Sequence, residues 1–427
     1  MANIAVLGAG YVGLTIAACF AKLGNSVIVS DVDAKRISEL NEGLCPIVED
    51  GMLALLNEGV ARSALSFVTD NKSAVVNADF VFLCLPTPQN PDGTADSSYV
   101  EGAAEEIAGH IKESTVVVTK STVPVGSSKI IEKALRRSDV SVVSNPEFLR
   151  EGSALNDFFY PDRVVIGSND LSAAQKVAEL YKTMNAKIII TDPASAETIK
   201  YAANAFLATK ISFINAVAAV CEGVGADVLD VIEGIGSDSR IGRAFLSPGP
   251  GWGGSCFPKD TKAMVRIADD AGYNFALLRG VIDVNDQQHE RILGKVLSCQ
   301  LDNMKHFRVC VLGLTFKAGT DDRRDSPAVK IAQMLISRRV EVHGYDPTVS
   351  KYSEAIDLAG IYLHQSVLES VNDSDVILLV TEWPEFKELD AQLVAEKMRS
   401  KNVVDARNLL DEVAWASVGF RYIGVGR

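Results

Sequence analysis

The chain opens on short apolar runs that alternate with amphipathic stretches. IAVLGAG (4–10) reads as a buried strand, and VGLTIAACFAKLG (12–24) as a helix closed by Gly24. SVIVSD (26–31) predicts a second strand. Further strands are expected in DFVFLCLP (79–86), STVVVTKST (114–122) and VSVVSNPEF (140–148). Strand–helix alternation implies a parallel, doubly wound α/β sheet of Rossmann type. From residue 193 the texture changes. The stretch from Asp192 to Gly225 predicts one long helix, apolar on nearly every face, with Asp192 as cap, Pro193 in the first turn and Gly223 or Gly225 at its end. Such a helix is expected to be buried on every side, as a spine that also packs on a second subunit. A helical region, with ADVLDVIEGI (226–235) and KAMVRIADDAG (262–272), continues to about residue 300. The first pattern then restarts: strands in RVCVLGLTF, VEVHGYDP, DVILLVTEW and KNVVDAR, with a helix in SPAVKIAQMLISRR. The expected division is therefore 1–192, a central helical segment 193–300 and a second Rossmann-like α/β domain 301–427.

Length and composition narrow the function. A chain of 427 residues, 47% hydrophobic, can bury two or three cores. A formal net charge of −13 disfavours nucleic acid and anionic membrane as partners. The richest apolar run, 202–220, is broken by Lys210 and Asn215, so no membrane span is expected. No basic leader precedes the first strand, and a cytoplasmic protein is expected. Five histidines lack metal-ligand spacing, and seven cysteines include no C-x-x-C pair, so no metal is expected. Cys19, Cys84 and Cys310 fall in apolar patterns and read as small buried residues.

Residues 8–13 are GAGYVG, a G-x-G-x-x-G placed directly after a strand and before a helix. Gly8 permits the tight turn, Gly10 the approach of a pyrophosphate, and Gly13 close helix–strand packing. The free N–H groups of the helix start would face the phosphates. Asp31 ends the next strand, where a carboxylate can accept bonds from both ribose hydroxyls and repel a 2′-phosphate. This points to NAD rather than NADP, with Arg36 as the residue that can soften the preference.

A second unusual stretch is GPGWGGSCFPKD (249–260). Without metal spacing or a paired cysteine, Cys256 is either core filler or a reactive thiol. Lys200 and Asn204 lie four apart and share a helix face.

Together these segments resemble the UDP-glucose/GDP-mannose dehydrogenase family over nearly the whole chain. The resemblance rests on GAGYVG, CLPTP (84–88), KSTVPVGS (120–127), SNPEFLREG (144–152), KYAANAF (200–206), SRIGRAFL (239–246), the cysteine loop, LGLTFKAGTDDRRDSPA (312–328) and DAR (405–407). It implies a four-electron oxidation of a sugar-nucleotide CH₂OH to a carboxylate with two NAD⁺. The thiol chemistry follows: an aldehyde becomes a hydride donor only after a nucleophile adds to it, and a thiolate at Cys256 can do so. The resemblance assigns Lys200 and Asn204 to an oxyanion and Asp260 to the water or to fixing the cysteine and lysine. It places Glu147 beside the reacting carbon and gives Thr122 the positioning of water or nicotinamide. It adds Tyr11, Val12, Pro86, Thr87, Glu151, Lys259 and Arg324 to the cofactor contacts. Phe148, Leu149, Phe245, Ser247, Gly251, Gly253, Phe316, Lys317 and Arg407 join the substrate contacts, with Arg240 reaching a neighbouring subunit's substrate. LGLTFKAG lacks the full glycine motif and suits a half-size nucleotide. The SCFPKD form resembles the UDP-glucose branch, with a homodimer or higher oligomer expected and Trp252 standing where Phe or Tyr is more usual. GDP-mannose and UDP-N-acetylhexosamines are the alternative substrates. A two-electron β-hydroxyacid-type dehydrogenase is the more distant reading.

Overall fold

Strand side chains alternate between two faces, so a sheet covered on both sides needs apolar residues at every position. Asn3–Leu7 (β1) shows this: Ile4 and Val6 enter one core, Ala5 and Leu7 the other. The same split recurs in Phe80–Leu83 (β4), with Phe80 and Phe82 on one face and Val81 and Leu83 on the opposite one. A computed structural model describes residues 1–90, 93–301, 306–351 and 356–427.

The first sheet also contains Ser26–Ser30 (β2), Leu65–Val68 (β3), Val116–Thr119 (β5), Ser141–Ser144 (β6), Arg163–Gly167 (β7) and Lys187–Thr191 (β8). Its order is β3-β2-β1-β4-β5-β6-β7-β8. All neighbours are parallel except β6 and β7, which meet antiparallel at Ser144 and Gly167. The order reverses between β1 and β4, which opens a crevice at the strands' carboxyl ends. GAGYVG leaves β1 there, and Pro86 and Thr87 follow β4.

The second sheet comprises Arg308–Leu312 (β9), Glu341–Tyr345 (β10), Ile361–Leu363 (β11), Val376–Leu379 (β12), Asn402–Asp405 (β13) and Arg421–Ile423 (β14). It is wholly parallel, in the order β11-β10-β9-β12-β13-β14. The expected second Rossmann-like unit is present. LGLTFKAG leaves β9 at its switch point.

The spine helix runs Pro193–Val224. Asp192 caps it, its carboxylate accepting from Ser195 N (2.8 Å) and Ser195 Oγ (2.6 Å). Gly225, at φ +73°, ends it. It is not buried on every side within the chain. Phe206, Phe213, Val220 and Val224 are exposed on it. By length and composition it could cross a bilayer, with an 18-residue window of mean hydropathy 1.4. Yet 44% of that window is buried inside the chain, as in a core helix.

The chain forms two compact units. One comprises Met1–Ala203 and Lys262–Ala271, the other Asn204–Thr261 and Gly272–Arg427. The spine helix begins in the first unit and continues into the second.

Candidate active site

In the first unit the glycine loop is sterically committed. Gly8 has φ +103°, and a Cβ there would lie 2.4 Å from the Cys84 carbonyl oxygen. A Cβ on Gly13 would lie 1.8 Å from the Gly8 carbonyl oxygen, so the third glycine protects the turn itself. Gly10 stands at the start of the helix Tyr11–Lys22, and no side chain caps that helix. Space is open beside Gly10. Uncapped N–H groups next to open space fit a pyrophosphate. Asp31 is held beside them: its carboxylate accepts from Ala9 N (2.7 Å) and Asp33 N (2.9 Å). Arg36 pairs with Asp31 at 3.3 Å, so its charge is engaged by that carboxylate. Val12 packs against the core. The Tyr11 hydroxyl donates to Glu49 and accepts from Gly152 N (2.6 Å). The cofactor loop is thus tied to the segment carrying Glu151. Burial, and then the Glu49 contact, push the Tyr11 phenol up. Thr87 Oγ1 donates to the Thr122 carbonyl (2.8 Å), which joins the loops after β4 and β5.

Glu147 does not sit on a helix with Glu151. β6 ends at Ser144, and residues 145–150 are irregular, as Pro146 in the segment requires. Glu147 is buried there. Its Oε1 accepts from Lys200 Nζ at 2.8 Å and its Oε2 from Leu149 N at 2.6 Å. Burial alone would raise the carboxyl, but the Lys200 charge and hydrogen bond outweigh it and hold the group below the usual carboxylate range. Two cations stand against the Phe148 ring: the Arg163 guanidinium lies 3.8 Å from its centre and Lys200 Nζ 5.5 Å.

A buried carboxylate escaped the sequence reading. Glu197, three residues before Lys200, is buried and accepts from Gly126 N (2.5 Å), Ser128 N (3.2 Å) and Ser144 Oγ (2.9 Å). It caps the helix Ser127–Leu135 from a distance and fixes the end of KSTVPVG. Thr122, Glu197 and Lys200 line one small cavity with Thr119, Ser144 and Pro146. The sequence offers no local signal for this, since the cap comes from some 70 residues away.

Cys256 lies in the second unit, directly before the start of the helix Phe257–Asp270, and its carbonyl accepts from Asp260 N at 2.8 Å. The thiol therefore sits at a helix N-terminus, where the positive end of the backbone dipole favours a thiolate. Ser255 Oγ is 3.5 Å from its sulfur. Asp260 is fully buried and holds two residues: Lys259 Nζ donates to Oδ1 (2.7 Å) and Asn204 Nδ2 to Oδ2 (2.6 Å). One turn of the spine helix thus presents Lys200, paired with Glu147, and Asn204, paired with Asp260.

The loop before Cys256 is held by its backbone. Gly249 N donates to Asn215 Oδ1 (2.8 Å), and Gln288 Nε2 donates to Gly249 O (2.7 Å). Trp252 N donates to Asn285 Oδ1 (2.7 Å). The Trp252 indole is buried and its Nε1 donates to Ser212 Oγ at 2.9 Å, so this aromatic is part of the loop's foundation. A Cβ on Gly251 would meet Asn285 Oδ1 at 2.7 Å, on Gly253 the Asp325 carbonyl at 2.0 Å, and on Gly254 the Phe316 ring at 2.8 Å.

Phe316 is accordingly beside the cysteine loop. Arg407 joins it, donating to Val380 O (2.7 Å) and Phe316 O (3.4 Å) and pairing with Glu382 at 2.9 Å. Lys317 Nζ lies 5.5 Å from the Phe316 ring centre. Arg324 donates to Asp322, and its carbonyl accepts from Gly254 N at 3.0 Å. Phe245, at φ +62°, sets its ring 6.4 Å from that of Phe257. Two expected contacts stay outside these clusters: Ser247 is exposed, and Arg240 is exposed and paired with Asp238 at 2.6 Å.

Residues 2–185 match the NAD binding domain of the UDP-glucose/GDP-mannose dehydrogenase family, 194–287 its central domain and 310–412 its UDP binding domain. A UDP-glucose 6-dehydrogenase of Rhizobium meliloti (strain 1021) is 44% identical over 435 residues, covering 100% of this chain and 99% of that one. UDP-glucose 6-dehydrogenase TuaD of Bacillus subtilis (strain 168) is 43% identical over 432 residues, with 100% and 94% covered. The solved UDP-glucose dehydrogenase of the archaeon Pyrobaculum islandicum superposes with a TM-score of 0.92 at 37% identity, covering 100% of this chain and 98% of that one. Glycine loop, buried Glu147–Lys200 pair and helix-capping Cys256 stand on the scaffold those proteins share, and the chain belongs to the UDP-glucose/GDP-mannose dehydrogenase family.

Proposed function

We propose that the protein oxidises UDP-glucose to UDP-glucuronate with two NAD⁺, through covalent intermediates on Cys256. The observation that carries this reading is Cys256 at the start of a helix, next to the Lys259–Asp260–Asn204 network. Two NAD⁺, bound in turn, would each take up one of the two hydrides that leave the sugar carbon. Gly8, Gly10, Gly13 and Asp31 hold each, with Tyr11, Val12, Arg36, Pro86, Thr87, Glu151 and Arg324 as further contacts.

In the first step the sugar CH₂OH loses a hydride and its hydroxyl proton, leaving an aldehyde. The Lys200 ammonium and the Asn204 amide stabilise the negative oxygen. The Cys256 thiolate then forms a C–S bond to the aldehyde carbon as the C=O π pair moves onto oxygen, giving a thiohemiacetal oxyanion held by Lys200 and Asn204. Loss of the second hydride from that carbon re-forms the C=O bond and leaves a thioester. Water adds to it, the C–S bond breaks, and the sugar carboxylate departs with the thiol restored. Glu147, ionised by its pairing with Lys200, accepts a proton from that water, with Thr122 positioning it. Asp260 keeps Asn204 and Lys259 in register. Phe316, Lys317 and Arg407 receive the uridine diphosphate. The three segments 1–192, 193–300 and 301–427 then serve cofactor, catalytic loop and substrate nucleotide in turn.

The test is NADH released per sugar nucleotide across UDP-glucose, UDP-N-acetylhexosamines and GDP-mannose. Two NADH per UDP-glucose are expected. One NADH per substrate would indicate a two-electron enzyme, and faster turnover of another sugar nucleotide would reassign the substrate.

The protein is further proposed to work as a homodimer joined along the spine helix. Ala202, Phe206, Phe213, Ala216, Val220 and Val224 are exposed at successive spacings of four, seven, three, four and four, a pattern that keeps them on one face and suits helix against helix. Light scattering should give at least twice the chain mass, and Phe213→Asp should reduce it to the chain mass. A wild-type protein of single-chain mass at micromolar concentration would refute this. The seven cysteines form no disulfide among the described residues, which fits a reducing, cytoplasmic setting.

A further inference from the structure

Lys120, the first residue of KSTVPVG, has no part in the reading above, yet it is buried in the first unit next to the reacting groups. Its Nζ donates to Asn145 Oδ1 at 3.1 Å. That oxygen also accepts from the Tyr181 hydroxyl (2.7 Å), while Asn145 Nδ2 donates to the Val165 carbonyl (2.7 Å). Asn145 is fully buried, and Glu147 lies two residues further along the same irregular segment. Lys120 Nζ also stands 5.6 Å from the Tyr181 ring centre, a cation against an aromatic face. A lysine is an expensive way to hold an amide in an apolar interior, because its charge must be desolvated. A neutral donor would serve the hydrogen bond equally well.

We propose that Lys120 is a positioning residue for the Glu147–Lys200 pair: through Asn145 it fixes the segment bearing Glu147, and it supplies a second buried positive charge that keeps that carboxylate ionised. The inference rests on the proposed oxidation, in which ionised Glu147 takes a proton from the hydrolytic water.

The charged and titratable groups around Lys120 come from several elements. They are Glu147 after β6, Cys84 after β4, Lys200 on the spine helix, and the Tyr181 phenol. Burial pushes the Cys84 thiol and the Tyr181 phenol up, so both are neutral at physiological pH. Burial also lowers the Lys120 ammonium to about 8, with Glu147 acting against that fall and Lys200 adding to it. Below about pH 8 Glu147 thus has two cations beside it, and above it one.

The sign of the consequence is fixed. Glu147 is held below the usual carboxylate range by Lys200 and, in addition, by Lys120. Removing the Lys120 charge raises it, so activity that needs the carboxylate is lost at a higher pH on the acid side. Lys120→Gln keeps a donor for Asn145 and removes the charge. Its kcat profile is expected to lose activity on the acid side about one pH unit higher than the wild type. Lys120→Arg keeps the charge at every accessible pH. It should leave the acid side where the wild type has it.

A purely structural lysine would lower kcat equally at all pH values. A Lys120→Gln profile of unchanged shape overturns the proposal. Should that variant fail to fold, Lys120→Arg decides: an acid side displaced upward in it, although the charge is kept, overturns the proposal equally. The wild-type enzyme's two NADH per UDP-glucose is read in the same assay, so failure of the oxidation itself is recognised separately.

Discussion

Cys256→Ala is expected to lose NADH formation from UDP-glucose by roughly a thousandfold or more, while binding of NAD and UDP-glucose persists. The second oxidation needs a nucleophile on the aldehyde carbon, and this variant has none. Cys256→Ser separates the steps further. A serine hydroxyl at neutral pH is almost wholly protonated, so the variant should stall after partial oxidation. Intact-mass analysis of the wild type quenched during turnover should show a sugar adduct on the peptide containing Cys256. Full activity in Cys256→Ala, or an adduct at another residue, would remove covalent catalysis from this loop.

The second large effect concerns stability as well as rate. Glu147→Leu leaves Lys200 and Lys120 buried without their carboxylate. Breaking a buried ion pair from one side costs about 3–5 kcal/mol. Glu147→Leu should therefore shift the denaturation midpoint strongly downward. The double variant Glu147→Leu/Lys200→Met replaces the pair by apolar groups and should recover most of that loss, yet both remain inactive. Denaturant titration of the two variants checks this, and equal stability of single and double variants would show that the pair is not coupled. The pH sense follows from the same contacts. The folded Glu147 carboxyl titrates below its unfolded value of about 4.3. Its stabilising contribution is complete above that value and disappears as pH falls through the lower, folded one.

The major elements were legible because their residues announce them locally. GAGYVG between a strand and a helix, Asp192-Pro193 opening the spine and Gly225 closing it are near-neighbour signals. β3, β7, β8, β11 and β14 were not read from the pattern. They are three to five residues long, and four of the five lie toward the sheet edges, where flanking contacts rather than composition decide the strand. The spine shows a different limit. Its apolar periphery predicted burial throughout, but a sequence does not state whether its own chain or another supplies the cover. Within the site, Cys256, Lys200 and Asp260 stood out through their motifs. Glu197 and Asn145 did not, because a carboxylate reaching 70 residues back to cap a helix, or an amide joining Tyr181 to Lys120, exists only once the sheet has been assembled.

The glycines ahead of Cys256 bear on how substrate choice can change in such a protein. A methyl added at Gly251, Gly253 or Gly254 would collide with an amide, a carbonyl or an aromatic ring, and one at Gly249 would press on the Arg407 guanidinium at 3.1 Å, so this stretch offers little freedom for mutation to explore. New sugar preferences would have to arise at side chains bordering the loop, while the ribbon that delivers the sulfur stays constant. Directed evolution toward another nucleotide sugar would do best to spare 249–256 and diversify its neighbours, with Phe245 and Phe316 as starting points.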